Sequence, residues 1–250
     1  MAQKGNLPFD NRLYEAEIGY FNFFTYNVHY RTKGVRINCC PNNGSETVLW
    51  NCLAAGTIKG SSNRMWNATF SNEHTEHYGH FNAKKLDYSG RVDIEIVKTL
   101  IVDLAEPDNQ LIEDSSDAAK ILVEDKELWL PKKRLSVHSP FFANLFTSDY
   151  KETAEDEFKL DVKLDEFLHF VGILFCFDMP IDRTSIEYLL KLAVMWKCDM
   201  VLQRCKEYLL KATDNEILPM TRMFLADRFK LREVALDTAT KISMKGWNQK

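Results

Sequence analysis

His138 and Ser139 are the first residues of this sequence whose types suggest nucleophilic chemistry. In a catalytic pair the imidazole must accept the proton of the hydroxyl group, so the two side chains have to face each other. Adjacent residues on a strand or at a helix start do not, and the chain lacks a G-x-S-x-G turn. Because Pro140 follows, the pattern predicts that Ser139 caps a helix. We therefore expect no catalytic residue and no enzymatic activity.

Three histidines at intervals of three, His74, His77 and His80, raise the question of metal binding. On a helix the first two would share a face and could bind Zn²⁺. The segment contains Gly79, lies among strand-like runs and has no thiol or carboxylate at the usual zinc spacing. The sequence therefore favours a solvated loop with titrating histidines. A metal-dependent enzyme centred on this cluster is the alternative.

Other signs of cofactor chemistry are missing from the sequence. The six cysteines form no C-x-x-C pair, and the glycine-rich patterns G-x-x-x-x-G-K-[ST] and G-x-G-x-x-G do not occur. In a reducing compartment the cysteines are expected to be free thiols, most of them small core residues. We expect no metal and no other cofactor.

Charge and hydropathy limit the classes of partner. The net charge is -4 and neither half of the chain is basic enough for non-specific phosphate binding, so nucleic acid is not an expected partner. No uncharged apolar stretch reaches about 18 residues, and the start lacks the apolar core of a signal peptide. We expect no membrane span and a cytoplasmic or nuclear location, or both.

The elements that must position these residues fall into two groups. Residues 1–110 alternate short apolar runs with turn-like PNNGS, KGSSN and DYSG, which predicts an all-β sandwich. Period-2 alternation in VDIEIV places Val92, Ile94 and Ile96 on one face. The acidic and polar stretch 105–117 predicts the boundary with a second domain.

The second group mixes strands with helices and predicts an α+β domain. KILVEDKELWL reads as a β-hairpin that turns at Glu124 and Asp125, and the PKKR run after it reads as a solvated strand end. A strand is predicted at EFKLDV and a buried helix at LDEFLHFVGILFCF. Two amphipathic helices follow, with capping-box spacing at Thr184 and Glu187. The helix capped by Ser139 should pack four apolar side chains on one face: Phe141, Phe142, Leu145 and Phe146.

An internal repeat follows these helices. LAVMWKCDMVL, from Leu192, matches LADRFKLREVAL, from Leu225, at an offset of 33 residues. Such a period predicts two stacked helical hairpins, because one hairpin alone is too small to bury its apolar stripe. We therefore expect a helical extension over residues 213–250.

From about residue 117 to 211 the sequence resembles the BTB (POZ) domain in its nematode form. The resemblance is carried by ILVEDKELWLPKKRLSVHSPFFANLFTSDYKE, by EFKLDVKLDEFLHFVGILF and by IEYLLKLAVMWKCDMVLQRCKEYLL. It implies an α+β BTB/POZ fold over residues 111–212, followed by the helical extension. It also implies a protein-interaction module that is commonly a homodimer, and one large group of such proteins links substrates to cullin-3 ubiquitin ligases.

The resemblance assigns candidate partner-binding residues. Tyr150 and Glu152 match the cullin-contacting pattern of a hydrophobic residue, any residue and glutamate, and Leu145 and Phe146 belong to the neighbouring helix. For these last two a buried role is the stronger expectation. BTB dimers usually pair an aspartate with a basic residue. Lys132 stands at the basic position, whereas Ala118 occupies the aspartate position and Asp117 precedes it by one residue, a shift that turns a strand side chain to the other face.

The first domain stands where many BTB proteins of this form carry a MATH (TRAF-like) sandwich, and WNCLAAGTIKGSSNRMWNATF is weakly similar to such strands. The resemblance therefore implies an adaptor that holds an unknown substrate protein through this domain. Specificity is expected in loops such as 41–46 and 71–83. A BTB scaffold or corepressor module that binds no cullin is the alternative.

Overall fold

A computed structural model describes residues 3–10, 12–28, 34–60, 63–80, 89–147 and 157–247. The chain divides into two compact units. The first comprises residues 1–104 with 176–179, and the second comprises 105–175 with 180–250. Each unit has its own secondary structure.

The first unit is a β-sandwich, as the sequence predicts. Its strands are β1 (Gln3–Phe9), β2 (Tyr14–Ile18), β3 (Phe21–Val28), β4 (Gly34–Pro41), β5 (Val48–Lys59), β6 (Arg64–Ser71), β7 (Glu76–His80) and β8 (Gly90–Asp103). They form two antiparallel four-stranded sheets, ordered β1-β8-β5-β6 and β2-β3-β4-β7. Alternate side chains of both sheets fill one apolar core. The predicted face of Val92, Ile94 and Ile96 is part of that core.

The second unit begins with a small sheet in the order β10-β9-β11. A 3-10 turn (Ser115–Asp117) leads into β9 (Ala118–Val123), which pairs antiparallel with β10 (Lys126–Pro131) and parallel with β11 (Glu157–Leu160). The predicted hairpin is confirmed, and Glu124 at its turn adopts a left-handed backbone with φ 54°. Lys120 on β9 lies within 3.1 Å of both Glu127 and Glu157, so one ammonium group joins all three strands.

Helices make up most of the second unit. They are α1 (Lys132–His138), α2 (Pro140–Thr147), α3 (Leu164–Leu174), α4 (Ile186–Met195), α5 (Asp199–Lys211), α6 (Pro219–Arg228) and α7 (Arg232–Trp247). The interpretation of PKKR as a strand end is wrong beyond Pro131, because Lys132 already begins α1. Within the described ranges, no helix is both long and apolar enough to cross a membrane.

The predicted helical repeat is present with its offset of 33 residues. Residues Trp196–Cys198 connect helices α4 and α5. Phe229–Leu231, which lie 33 residues later, connect helices α6 and α7. Both joints contain a left-handed lysine, Lys197 with φ 52° and Lys230 with φ 57°. The amide of the following residue then donates to a carbonyl five residues earlier, Cys198 to Ala193 and Leu231 to Ala226, each at 2.8 Å. This is the Schellman type of helix end.

The predicted capping box at Thr184 and Glu187 is wrong. Asp182 Oδ1 accepts bonds from the amides of Thr184 and Ser185 at 2.8 and 2.9 Å. Glu187 instead forms an ion pair with Arg228, which joins the two repeats. The Asx-type turn of Asp182 engages both the amide and the hydroxyl group of Thr184, which a capping box would need for its own two hydrogen bonds, so the two patterns exclude each other.

Candidate functional site

Ser139 is a buried structural residue. It has no exposed surface and separates α1 from α2 with an extended backbone. Its Oγ donates a hydrogen bond to the carbonyl of Trp196 at 2.5 Å and accepts one from the amide of Phe142 at 3.3 Å. The predicted helix cap is therefore confirmed. A hydroxyl group that is buried and already donates its proton is not available as a nucleophile.

The aromatic side chains after Ser139 form a cluster around Trp196. The centroid of the Trp196 ring lies 5.3 Å from Phe142 on α2 and 4.7 Å from Phe170 on α3. Phe141 and Phe167 also contact it, at 6.3 and 5.8 Å. Because Trp196 ends α4, this cluster holds three helices together.

Leu145 and Phe146 lie at the end of α2 and are both half-buried. The Phe146 ring stacks on Phe142 at 6.0 Å and meets Phe158 of β11 edge-on at 5.0 Å. Phe146 therefore contributes to the packing between α2 and the sheet, while part of its surface stays accessible. Helix α2 ends at Thr147, and the predicted cullin-contacting residues Tyr150 and Glu152 lie outside the described residues.

Asp117 and Lys132 are the two residues predicted for the charged pocket: Lys132 begins α1, and the carboxylate of Asp117 bonds the first turn of that helix. Strand β9 begins only at Ala118, so Asp117 ends the preceding turn. Its Oδ1 accepts a hydrogen bond from the amide of Lys133 at 2.9 Å. A carboxylate at this position satisfies a free amide of α1 and offsets the unfavourable basic residues of its first turn. A role of the two residues in a dimer stays a prediction.

The histidine segment is not the loop that the sequence predicts. His77 and the backbone of His80 belong to strand β7, and His74 lies in the turn before it. The His77 ring stacks on Trp66 with centroids 5.6 Å apart. Among the described residues, no group of three or more histidine, cysteine, aspartate or glutamate side chains is placed to hold a metal ion.

An open pocket of about 470 Å³ lies beside these two rings. The lining combines apolar, aromatic and cationic side chains: Ala55, Ile58, Arg64, Met65, Trp66, Asn67, His77 and Tyr78. The Trp66 indole donates to the carbonyl of Asp93 at 3.2 Å, which fixes the ring. Arg36 lies over the Tyr78 ring at 4.4 Å and bonds Glu76 at 3.1 Å. The sequence did not predict this pocket, because its residues come from three strands.

His169 on α3 is a titratable group inside the second unit. Its side chain is 1% exposed, and its Nδ1 shares a hydrogen bond of 2.6 Å with the Tyr188 hydroxyl group of α4. Burial lowers the pKa of His169 to about 4, against the smaller raising effects of the Pro180 carbonyl and the Asp182 carboxylate. The imidazole is therefore neutral at pH 7 and serves packing.

Comparison with known proteins identifies the second unit. A family model described as BTB/POZ domain matches residues 110–213. The chain is similar to BTB and MATH domain-containing protein 38 of Caenorhabditis elegans, with 25% identity over 84% of this chain and 59% of that protein. It is also similar to BTB and MATH domain-containing protein 36 of the same organism, with 26% identity over 46% of this chain and 33% of that protein. BTB and MATH domain-containing protein 15, again from Caenorhabditis elegans, is 24% identical over 49% of this chain and 44% of its own length. The chain thus spans less than two thirds of each relative. Taken with the capped α2, the three-stranded sheet and the helix pairs, the match shows that this chain carries a BTB/POZ domain at residues 110–213.

Proposed function

We propose that this chain is a non-enzymatic adaptor that self-associates through its BTB domain and links a substrate protein to a cullin-3 ubiquitin ligase. The observation that carries the proposal is the BTB/POZ match at residues 110–213, a domain type that supports protein interaction. The buried Ser139 and its aromatic neighbours are consistent with it, because the hydroxyl group of Ser139 serves the packing of the helices. An adaptor acts by raising the effective concentration of one protein near another and needs no chemistry of its own.

The end of α2 and the residues after it are the proposed cullin contact. Tyr150-Lys151-Glu152 follows α2 in sequence with the hydrophobic-any-glutamate pattern. Phe146 packs against Phe158, yet it and Leu145 keep part of their surface accessible. Aromatic and aliphatic side chains of this kind, next to a glutamate, suit a partner with an apolar groove and a basic rim.

Self-association is proposed to involve the region around α1. The Asp117 carboxylate accepts a hydrogen bond from the Lys133 amide, and Lys132 is the first residue of α1. Val137 on the same helix is 78% exposed. An exposed valine on a helix that begins with basic residues suits a symmetric contact in which apolar surface supplies the affinity.

The sandwich is proposed as a divergent MATH domain that binds the substrate protein. The names of the relatives, which pair BTB with MATH, support this assignment. The pocket beside Trp66 and His77 offers aromatic surface, the cation of Arg64 and the exposed Met65. These groups suit an extended segment that carries an apolar side chain and a carboxylate.

A pull-down with the immobilised cullin-3 amino-terminal domain tests the proposal. Wild type should be retained, and Tyr150→Ala and Glu152→Ala should each reduce retention about tenfold or more, as expected for central contacts. Lys151→Ala is the matched control, because the middle position of the pattern accepts any residue. Circular dichroism should show the same helix content for all variants. If wild type is retained no better than a Tyr150→Ala/Glu152→Ala double variant, the cullin link fails and the scaffold or corepressor alternative takes its place.

A further inference from the structure

The connection between β4 and β5 contains an asparagine followed by a glycine. Asn43 and Gly44 lie in the stretch 42–46, in which every residue is exposed. They form the one Asn-Gly pair of the sequence. In such a pair the amide nitrogen of glycine can attack the side-chain carbonyl carbon of asparagine, because glycine has no side chain that shields its nitrogen. This connection therefore contains a chemically labile pair on the surface of the sandwich.

The fold leaves both reacting groups of this pair accessible. Among the described residues, neither the side chain of Asn43 nor the amide of Gly44 has a hydrogen-bond partner. A Cβ atom at Gly44 would meet no atom within 4 Å, so the space around this residue is open. The Gly44 nitrogen can therefore approach the Asn43 side chain without the loss of a hydrogen bond and without a steric clash.

The other asparagines of this segment are held in place. The Asn42 amide donates a hydrogen bond to the Tyr20 carbonyl at 2.9 Å, and its side chain donates one to Glu17 at 2.6 Å. Asn42 is also followed by an asparagine, whose side chain hinders attack by the backbone nitrogen. Asn38 belongs to strand β4, whose backbone is paired on both sides. Within residues 37–46, the fold therefore favours the reaction at Asn43 alone.

We propose that Asn43 is a site of spontaneous deamidation in the folded chain. The Gly44 nitrogen loses its proton and attacks Cγ of Asn43, ammonia leaves, and a five-membered succinimide ring forms. Water then opens the ring at one of its two carbonyl groups, which gives aspartate or isoaspartate at position 43. The reaction consumes one water, releases one ammonia and involves no oxidation or reduction. The proposal is independent of the adaptor function.

Deamidation changes the charge and the length of the connection between β4 and β5. Either product adds a negative charge between Glu46 and Asn42, which is bonded to Glu17. Isoaspartate also inserts a methylene group into the backbone. The connection includes residues 41–46, which the sequence predicts as a substrate loop. A more acidic loop binds acidic partner surfaces more weakly, so the reaction slowly changes what this surface can contact.

Peptide mapping of the full chain tests the proposal. The folded protein is kept at physiological temperature and mildly alkaline pH, because the attacking amide must lose its proton. Digestion with trypsin and a glutamate-specific protease then releases residues 37–46, and a zero-time sample corrects for changes during digestion. We expect forms of this peptide that are heavier by about one dalton, that increase with time and whose fragments place the change at Asn43. An isoaspartyl methyltransferase with labelled S-adenosylmethionine should label the same peptide.

Gly44→Ala is the variant that tests the role of the glycine. Because open space surrounds this position, the variant should fold like wild type, which circular dichroism checks. Its methyl group hinders ring closure, so deamidation at Asn43 should slow by about tenfold or more. Gly60→Ala is the matched control, because Gly60 is also exposed but follows Lys59, and it should leave the rate at Asn43 unchanged.

Two results would overturn the proposal. One is a wild-type chain whose residues 37–46 stay unchanged over the time in which a synthetic peptide of the same residues converts, because the fold then blocks the reaction. The other is an equal rate at Asn43 in wild type and in Gly44→Ala, because the change then does not pass through the ring.

Discussion

One hydroxyl group, that of Ser139, connects three parts of the BTB domain. Ser139 ends α1, and its hydroxyl group caps α2 and donates a hydrogen bond to the carbonyl of Trp196, the residue that follows α4. The cap could be predicted from the order serine then proline, which is a local signal. The bond to Trp196 could not, because its partner lies 57 residues away and only the packed helices bring it there.

Ser139→Ala should lower the free energy of unfolding by about 1–3 kcal/mol, because it leaves the Phe142 amide and the Trp196 carbonyl buried without this partner. Urea unfolding followed by far-UV circular dichroism measures the change. Ser136→Ala on the half-buried side of α1 is the control and should stay within about 0.5 kcal/mol of wild type. Equal midpoints for both variants would contradict the structural role of Ser139.

His169 makes the stability of the BTB domain depend on pH. Its pKa is about 4 in the folded chain and about 6.5 when exposed, so the unfolded chain binds the additional proton between these values. The unfolding free energy therefore has its full value above about pH 6.5, where the imidazole is neutral in both states, and it falls as the pH drops toward 4. The slope of the unfolding free energy should reach about 1.4 kcal/mol per pH unit in this window.

The urea midpoint of wild type should therefore fall between about pH 6.5 and pH 4, and His169→Gln should flatten this dependence. A His169→Gln profile that runs parallel to wild type over this range would show that the buried imidazole does not set it.

At the scale of elements, the pairing of β5 with β8 depends on one position without a side chain. Gly56 on β5 pairs with Ile94 of β8 and with Trp66 of β6. A Cβ atom at Gly56 would lie 1.8 Å from the carbonyl oxygen of Asp93, the same oxygen that accepts the Trp66 indole bond. The close approach of the strands therefore requires glycine here.

Gly56→Ala should destabilise the sandwich by more than about 2 kcal/mol, because the backbone of β8 must move. Hydrogen-exchange mass spectrometry should show faster exchange in peptides from 48–59 and 90–103. Gly44→Ala is the control, because a Cβ atom there meets no atom within 4 Å. Exchange in Gly56→Ala that matches the control would contradict the packing described here.

The elements differ in how far the sequence alone predicts them. The repeated hairpins were predictable because leucine, alanine, an aromatic residue and lysine recur at one offset. Helix α1 was not, because a proline and three basic residues resemble the end of a strand, and the Asp117 carboxylate that caps the helix lies far back in sequence. The capping-box prediction at Thr184 and Glu187 is wrong for a related reason, because Asp182 binds both the amide and the hydroxyl group of Thr184.

At the scale of the whole molecule, the two kinds of domain and their order follow from composition: turns and β-branched residues first, helical periodicity later. The sites follow less well. The pocket beside Trp66 requires side chains of β5, β6 and β7 to meet in the folded sandwich, and no local sequence pattern reports such a meeting. Tyr150 and Glu152 belong to a single sequence motif, so a resemblance can propose a role for them without knowledge of the fold.

The mass of the assembly in solution tests the adaptor account most directly. Size-exclusion chromatography with light scattering should give the chain alone twice its mass of 29.1 kDa. With the cullin-3 amino-terminal domain in excess, it should show a complex of two chains and two cullin domains. A chain that remains at 29.1 kDa at micromolar concentration, and whose mass the cullin domain leaves unchanged, would contradict both self-association and the cullin link.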